Sequence, residues 1–265
     1  MPSTYTHYKF GKDVFNKLPK ALQKEIQSHM PLYKIGLHGP DILFYYKALT
    51  TNHVNQTGFG MHDKPAKDFF EPAKKVIKES HQPAPNFAYV YGFICHFVLD
   101  SQCHGYIEEK IQASGVSHTE IEVEFDRYLM IRDKHNPIKH HLTRHITPSE
   151  ENAKVIAPYF EGITPKEVEK SLKAMKRYND ILVAPGNMKR KVIYTLLKMT
   201  GNFEEMKGLI VNYVPNPKCK DSCEKLDALY NKAIDIAVAL IQEYGEFAYE
   251  NKPLNKRYEK TFGVD

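Results

Sequence analysis

Residues 93–104 read FICHFVLDSQCH and place His96, Asp100 and His104 four residues apart inside an otherwise apolar run. At about 100° per residue these three side chains fall within one quadrant of a helix, so they converge on one point. Burying unpaired imidazole and carboxylate costs several kcal/mol, and a bound metal ion is one way to offset that cost. The segment therefore predicts a buried helix that carries a ligand set. Cys95 and Cys103 flank the ligand positions but point away from them by helical spacing, so packing is their expected role.

The surrounding chain has the composition of an ordinary globular protein: 265 residues, 42% hydrophobic and 26% charged. That supports one large core. A net charge of +5 suits anionic substrates without demanding a nucleic-acid or membrane partner. The first residues, MPSTYTHYKFGKDVF, contain no apolar h-region, and no run approaches the roughly 18 residues of a membrane span. A cytoplasmic protein is the default expectation. Four cysteines (Cys95, Cys103, Cys219, Cys223) fit reduced thiols better than a disulfide framework. Cys219 and Cys223 alone would make a poor structural zinc site.

Proline and glycine punctuate long stretches of helical periodicity, and no segment alternates as a strand would. The expected fold is all-α, with helices over 12–30 (broken at Pro19), 40–49, 65–80, 85–112 and 117–134. Later helices are expected over 149–160, 164–183, 188–199 and 221–249. Thr164-Pro165-Lys166-Glu167 opens one of them with an N-cap, a first-turn proline and an early acid. The reading is one all-helical domain over 1–265. All thirteen histidines precede Ile146, so the metal-binding residues are expected within 1–146 and a helical scaffold over 147–265. Leu226, Leu229, Ile234, Ile236, Val238 and Ile241 give the last long helix an amphipathic, scaffold-like pattern.

A second segment, SHTEIEVEFD (117–126), repeats the spacing of the first, with His118, Glu122 and Asp126 at intervals of four. An H-x-x-x-E pair on one face can chelate a divalent ion, and Asp126 could orient a histidine from behind. Upstream, Asp41 lies in GLHGPDILFYY near the start of a helix, and His62 lies in GFGMHDKPA. Loop–helix junctions of this kind aim side chains into clefts. His7, in TYTHYKFG, completes the set. His141 and His145 lie in a basic stretch, KHHLTRH, and are expected to be solvated or to attract phosphate.

Taken in order, His7, Asp41, His62, His96, Asp100, His104, His118 and Glu122 resemble the ligand series of the bacterial zinc-dependent phospholipase C family. Those all-helical phosphodiesterases share their fold with the single-strand nucleases of the S1 and P1 type. The resemblance spans roughly residues 1–126 and implies a single large multi-helix domain. It also implies two or three zinc ions at the bottom of a cleft, with Asp100 bridging two of them. Asp41 would lie near the attacking water as general base, and the remaining residues would be ligands. Secreted members bind one zinc through a processed N-terminal tryptophan, whereas this chain contains no tryptophan. The backbone amine of Pro2, after loss of Met1, is the candidate substitute. The interval from Asp100 to His104 is shorter than in the secreted enzymes, which directs His104 toward a different ion.

The resemblance implies a phosphate-ester small molecule or a phospholipid head group as substrate, with nucleic acid less favoured. Three other readings compete. His62-Asp63 also suits an HD-type phosphohydrolase, but that leaves the H-x-x-x-D-x-x-x-H helix unexplained. A di-iron carboxylate bundle would need more glutamates. A non-catalytic helical binding protein stapled by metal would saturate its ligands, whereas a catalytic site keeps an open coordination position. Tyr5, Phe44, Tyr45, Tyr46 and Phe59 are candidate walls of a cleft.

Overall fold

Helices open and close where the chain supplies caps. The computed structural model describes residues 4–199, 201, 203–250 and 252–263. Pro2, proposed as a substitute ligand, lies outside the described residues. Helix α1 spans Thr4–Lys17, and Pro19 separates it from α2, Lys20–Ser28. α3 (Met30–Gly36) leads into a 3-10 turn, Gly39–Tyr45, and then into α4, His53–His62. α5 (Lys67–Glu79), α6 (Pro83–Ser114) and α7 (His118–Arg132) follow. After a long loop come α8 (Glu150–Ile156), α9 (Pro165–Leu182), α10 (Asn187–Met199), α11 (Phe203–Met206) and α12 (Lys220–Glu250). There is no strand among the described residues. The all-α expectation holds.

Several features depart from the expected boundaries, among them the short helices α3 and α11, which were not expected. α1 begins at Thr4, earlier than the expected start at Lys12, because the Asp126 carboxylate accepts hydrogen bonds from the Tyr5 and Thr6 backbone N–H groups at 3.1 and 2.7 Å. That cap lies more than a hundred residues away, where local sequence cannot report it. The segment expected as a helix over 40–49 is the shorter 3-10 turn. α4 was not expected at all: its residues HVNQTGFGMH include two glycines and weak helix formers. A capping box offsets that weakness, with the Asn52 side chain accepting from Asn55 N–H at 3.1 Å and Asn55 returning the bond to Asn52 N–H at 3.0 Å.

α6 is the axis of the molecule. It is buried without interruption from Pro85 to Asp100, and α1, α2, α3, α5, α7, α8 and α12 pack around it. A helix apolar on every side can be stable only when enclosed in this way. The closest crossing is with α3: a Cβ on Gly92 would lie 2.2 Å from the Tyr33 carbonyl oxygen, and one on Gly36 would lie 2.2 Å from the Tyr89 carbonyl oxygen. Paired glycines thus let two backbones touch. The main core runs from Tyr5 to Phe262 and includes α12, whose Leu226, Ile234 and Ile241 are buried as expected of scaffold positions. Leu229, Ile236 and Val238 are partly buried against the same core. A separate small cluster, Ala184, Ile193 and Ile210, sits under α10.

The four cysteines are buried free thiols. Burial pushes Cys219 up to about 11 and Cys223 up to about 12, which makes both poor thiolate ligands at neutral pH.

Candidate metal centre

Five separate segments deliver the eight candidate ligands. His7 projects from α1, Asp41 from the 3-10 turn, and His62 from the last residue of α4. His96, Asp100 and His104 lie on α6, while His118 and Glu122 lie on α7. The structure brings all eight together. They form three donor groups, the first two sharing His96: His7, His96 and Asp100; Asp41, His62 and His96; and His104, His118 and Glu122. Within each group the ligand atoms lie within 4.8 Å of one another.

Asp100 is the hinge of this arrangement. Its Oδ1 lies 3.1 Å from His7 Nε2 and 3.9 Å from His104 Nε2. Its Oδ2 lies 3.1 Å from His96 Nε2 and 4.0 Å from His62 Nε2. Asp41 Oδ1 lies 3.1 Å from His62 Nε2 and 4.0 Å from His96 Nε2. Glu122 Oε1 lies 3.0 Å from His118 Nε2 and 3.5 Å from His104 Nε2. Each carboxylate therefore faces at least two imidazoles through their Nε2 atoms.

Burial makes the chemistry specific. His7, Asp41, His96, Asp100 and Glu122 are almost wholly enclosed, while the His118 side chain is 40% exposed and opens the site to solvent. Both oxygens of Asp41, Oδ2 of Asp100, Oε2 of Glu122 and both nitrogens of His96 are buried and make no hydrogen bond. Polar atoms are seldom left so in a folded protein unless a ligand satisfies them. Imidazole and carboxylate donors without thiolate suit zinc, and the orphaned atoms face one another across the space an ion needs. Residues and ion fit.

The buried charges of the cluster perturb one another. Burial pushes the Asp100 carboxyl up, but His96, His104 and His7 override it and hold it well below its ordinary range. Burial likewise opposes ionisation of Glu122, and His118 and His104 pull its carboxyl far down. Burial lowers His104, whereas Asp100 and Glu122 raise it, with a net value of about 9. Such mutual perturbation marks a functional cluster.

Contacts behind the ligands set their orientation. His104 Nδ1–H donates to the Phe262 carbonyl at 2.8 Å, and His62 Nδ1–H donates to the Gly58 carbonyl at 3.0 Å, so each ring turns Nε2 toward the centre. Asp126, expected to orient a histidine, does so through backbone: by fixing Tyr5 and Thr6 it sets the start of the helix that carries His7. The Thr6 hydroxyl also donates to Asp126 at 2.6 Å. Gly39 has φ +46°, and a Cβ there would lie 2.2 Å from the His96 ring, so glycine is required both by the turn and by the ligand behind it. Phe262 escaped sequence reading because a backbone carbonyl leaves no residue-type signal.

The aromatic candidates divide. Tyr5, Phe44, Tyr45 and Tyr46 are buried, and Tyr5 donates its hydroxyl to Asp133 at 2.7 Å. Only Phe59 is substantially exposed, at 47%, where it stacks on Phe44 beside His62. The basic stretch also differs from expectation. His141 contacts Asp180 at 2.6 Å, but His145 turns inward, stacks on Tyr8 and meets the Nε2 of buried His38 at 2.7 Å. Burial, aided by Lys34 and Lys176, pushes His145 down to about 3, so it packs as a neutral ring.

An all-helical scaffold with a buried cluster of histidines and carboxylates open at one edge has the donor set of a metal-binding protein. The sequence profile of the zinc-dependent phospholipase C family matches residues 6–169. The chain belongs to that family, and all eight candidate ligands fall inside the match. No curated protein and no solved structure matches the chain.

Proposed function

We propose that the protein is a phosphodiesterase of the phospholipase C type, with zinc held by His7, Asp41, His62, His96, Asp100, His104, His118 and Glu122. The observation that carries this reading is the convergence of eight donors from five segments on a site whose buried carboxylate oxygens lack hydrogen bonds. The three donor groups correspond to two or three ions; His96 is common to two of the groups, and the two oxygens of Asp100 face different histidines, His7 and His96. Bound zinc supplies Lewis acidity: it lowers the pKa of a coordinated water toward neutrality and offsets charge on the phosphate oxygens.

The chain's own residues do the rest. Asp41 is carried on a short turn, its Oδ1 facing His62 while no ion pair among the described residues engages its Oδ2, and is the group assigned to accept a proton from the attacking water. Asp100 and Glu122 hold the imidazoles in register. The Phe262 and Gly58 carbonyls fix the tautomers of His104 and His62. Phe59, exposed over Phe44 beside His62, provides an apolar contact at the rim for the substrate. The cytoplasm remains the proposed location.

The deciding experiment is elemental analysis of protein purified without added metal, paired with hydrolysis of a chromogenic phosphodiester before and after chelation. Two or three zinc equivalents with chelator-sensitive turnover support the assignment. Bound metal without turnover on any phosphate ester favours a structural role, and absence of metal removes the ligand assignment altogether.

A further inference from the structure

We propose that α10 is a membrane-docking helix that seats the protein on anionic lipid surfaces; the lipid occupant rests on the phospholipase reading above. The helix has two apolar faces. Its inner face is accounted for: Ile193 is buried with Ala184 and Ile210, and Leu197 and Tyr194 pack against that cluster. Arg190 donates to the Ala184 and Val211 carbonyls at 3.1 and 2.8 Å and lies over the Tyr213 ring at 4.0 Å.

The outer face is unaccounted for by anything in the fold. Met188, Val192, Leu196 and Met199, at spacings of four, four and three, form one continuous row along the helix. They are 81%, 55%, 56% and 79% exposed. Isolated exposed apolar residues are ordinary, but a contiguous row of four is not. Lys191 and Lys198 stand on one flank of this row and Lys189 on the other, and the sequence NMKRKVIYTLLKM contains no acid.

An apolar row flanked on its own helix by Lys191 and Lys198 and by no acid, with Lys189 turned to the Asp180 and Val183 carbonyls, matches the boundary between acyl chains and anionic head groups, where the row enters the apolar layer and the lysines meet phosphate. Charge argues against a second copy as the occupant. Two such helices face to face would appose lysines with no carboxylate on either helix, and one row of four side chains falls short of the roughly 800 Å² per partner of a standard interface. No described helix is long and apolar enough to cross a membrane, so the contact is one of lying on the surface. The helix also lies outside the residues that match the family profile.

Position links this face to the site. Arg190, on the inner side of α10, lines a cavity together with Thr4, Tyr45 and Asp126. Those residues stand within about one helical turn of His7, Asp41 and Glu122 along the chain.

The test is co-sedimentation of the full-length protein with vesicles of phosphatidylcholine alone and of phosphatidylcholine mixed with phosphatidylglycerol. The expected result is binding to the mixed vesicles that weakens with salt and persists after chelation. The pair Val192→Glu/Leu196→Glu should weaken binding by at least about ten-fold. The pair Lys191→Gln/Lys198→Gln, which leaves the apolar row intact, should weaken it on the order of ten-fold as well. Both pairs should hydrolyse a soluble chromogenic phosphodiester as the unmodified protein does. Failure of the unmodified protein to sediment, or undiminished binding by both pairs, overturns the proposal. So does a dimer in gel filtration that Val192→Glu/Leu196→Glu converts to monomer. Vesicle binding without hydrolysis of any phosphate ester would uphold the docking and remove the enzymatic reading instead.

Discussion

The two longest helices, α6 and α12, pack against each other and differ in what they bury. α6 is enclosed on all sides, so its His96 and Asp100 have no solvent to turn to and must satisfy each other or a ligand. α12 buries one stripe, including Tyr230, Ala237, Leu240 and Tyr244, and leaves its charged residues in water. Its buried hydroxyls are satisfied locally: Tyr244 donates to the Phe70 carbonyl at 2.8 Å and Tyr230 to Asp13 at 2.7 Å. The contrast teaches that polarity in a helix signals function only when enclosure removes the alternative of hydration.

The sharpest way to test that contrast is to alter a ligand on α6. Asp100→Asn should lose zinc and phosphodiesterase activity together, activity by on the order of 10³-fold or more, because this one carboxylate lies within 4.0 Å of four imidazoles. Asp41→Asn should lower turnover by about 10²–10⁴-fold while retaining more of the metal. Elemental analysis alongside steady-state rates separates them, and equal metal loss in both would refute the division of roles.

On α12 the expected loss is stability. Leu240→Ala should cost about 2–5 kcal/mol in urea unfolding through transfer and cavity terms. Zinc content of the folded fraction should stay unchanged, and a fall would mean that α12 positions ligands as well as covering them. The α3–α6 crossing lies between these extremes in character. Gly92→Ala should cost roughly 1–3 kcal/mol by forcing the two backbones apart. A measurable drop in zinc affinity would show that the strain reaches His96, one turn away.

The smallest expected effect separates the site from its surroundings. His145 is held neutral near His38, so the folded state binds fewer protons than the unfolded chain once pH drops below about 6.5. Stability from this residue is complete above that pH and is lost as pH falls toward about 3. The difference between the unmodified protein and His145→Gln, taken from urea unfolding at pH 8 and pH 5.5, should shrink by about 1 kcal/mol at the lower pH. A constant difference would mean that His145 is solvated.

The ligand series was legible because helical spacing is local: H-x-x-x-D-x-x-x-H and H-x-x-x-E place donors on one face whatever surrounds them. Their neighbourhood was less so. α4 is stabilised by reciprocal Asn52–Asn55 caps that its weak propensities do not advertise. The early start of α1 depends on Asp126, and the tautomer of His104 depends on a carbonyl near the chain's far end. His145 lies in a basic stretch that reads as solvated, yet packing against Tyr8 and His38 removes it from water.

Sequence by itself determined the all-helical class, the family, and the candidate metal-binding residues, because periodicity and residue chemistry act over one or two turns. Tertiary structure alone decided that donors from five segments converge on one cluster, that His118 is the open edge, and that the outer row of α10 stays uncovered. Those outcomes depend on which surfaces enclose one another, and burial is a property of the assembled chain that no local pattern encodes.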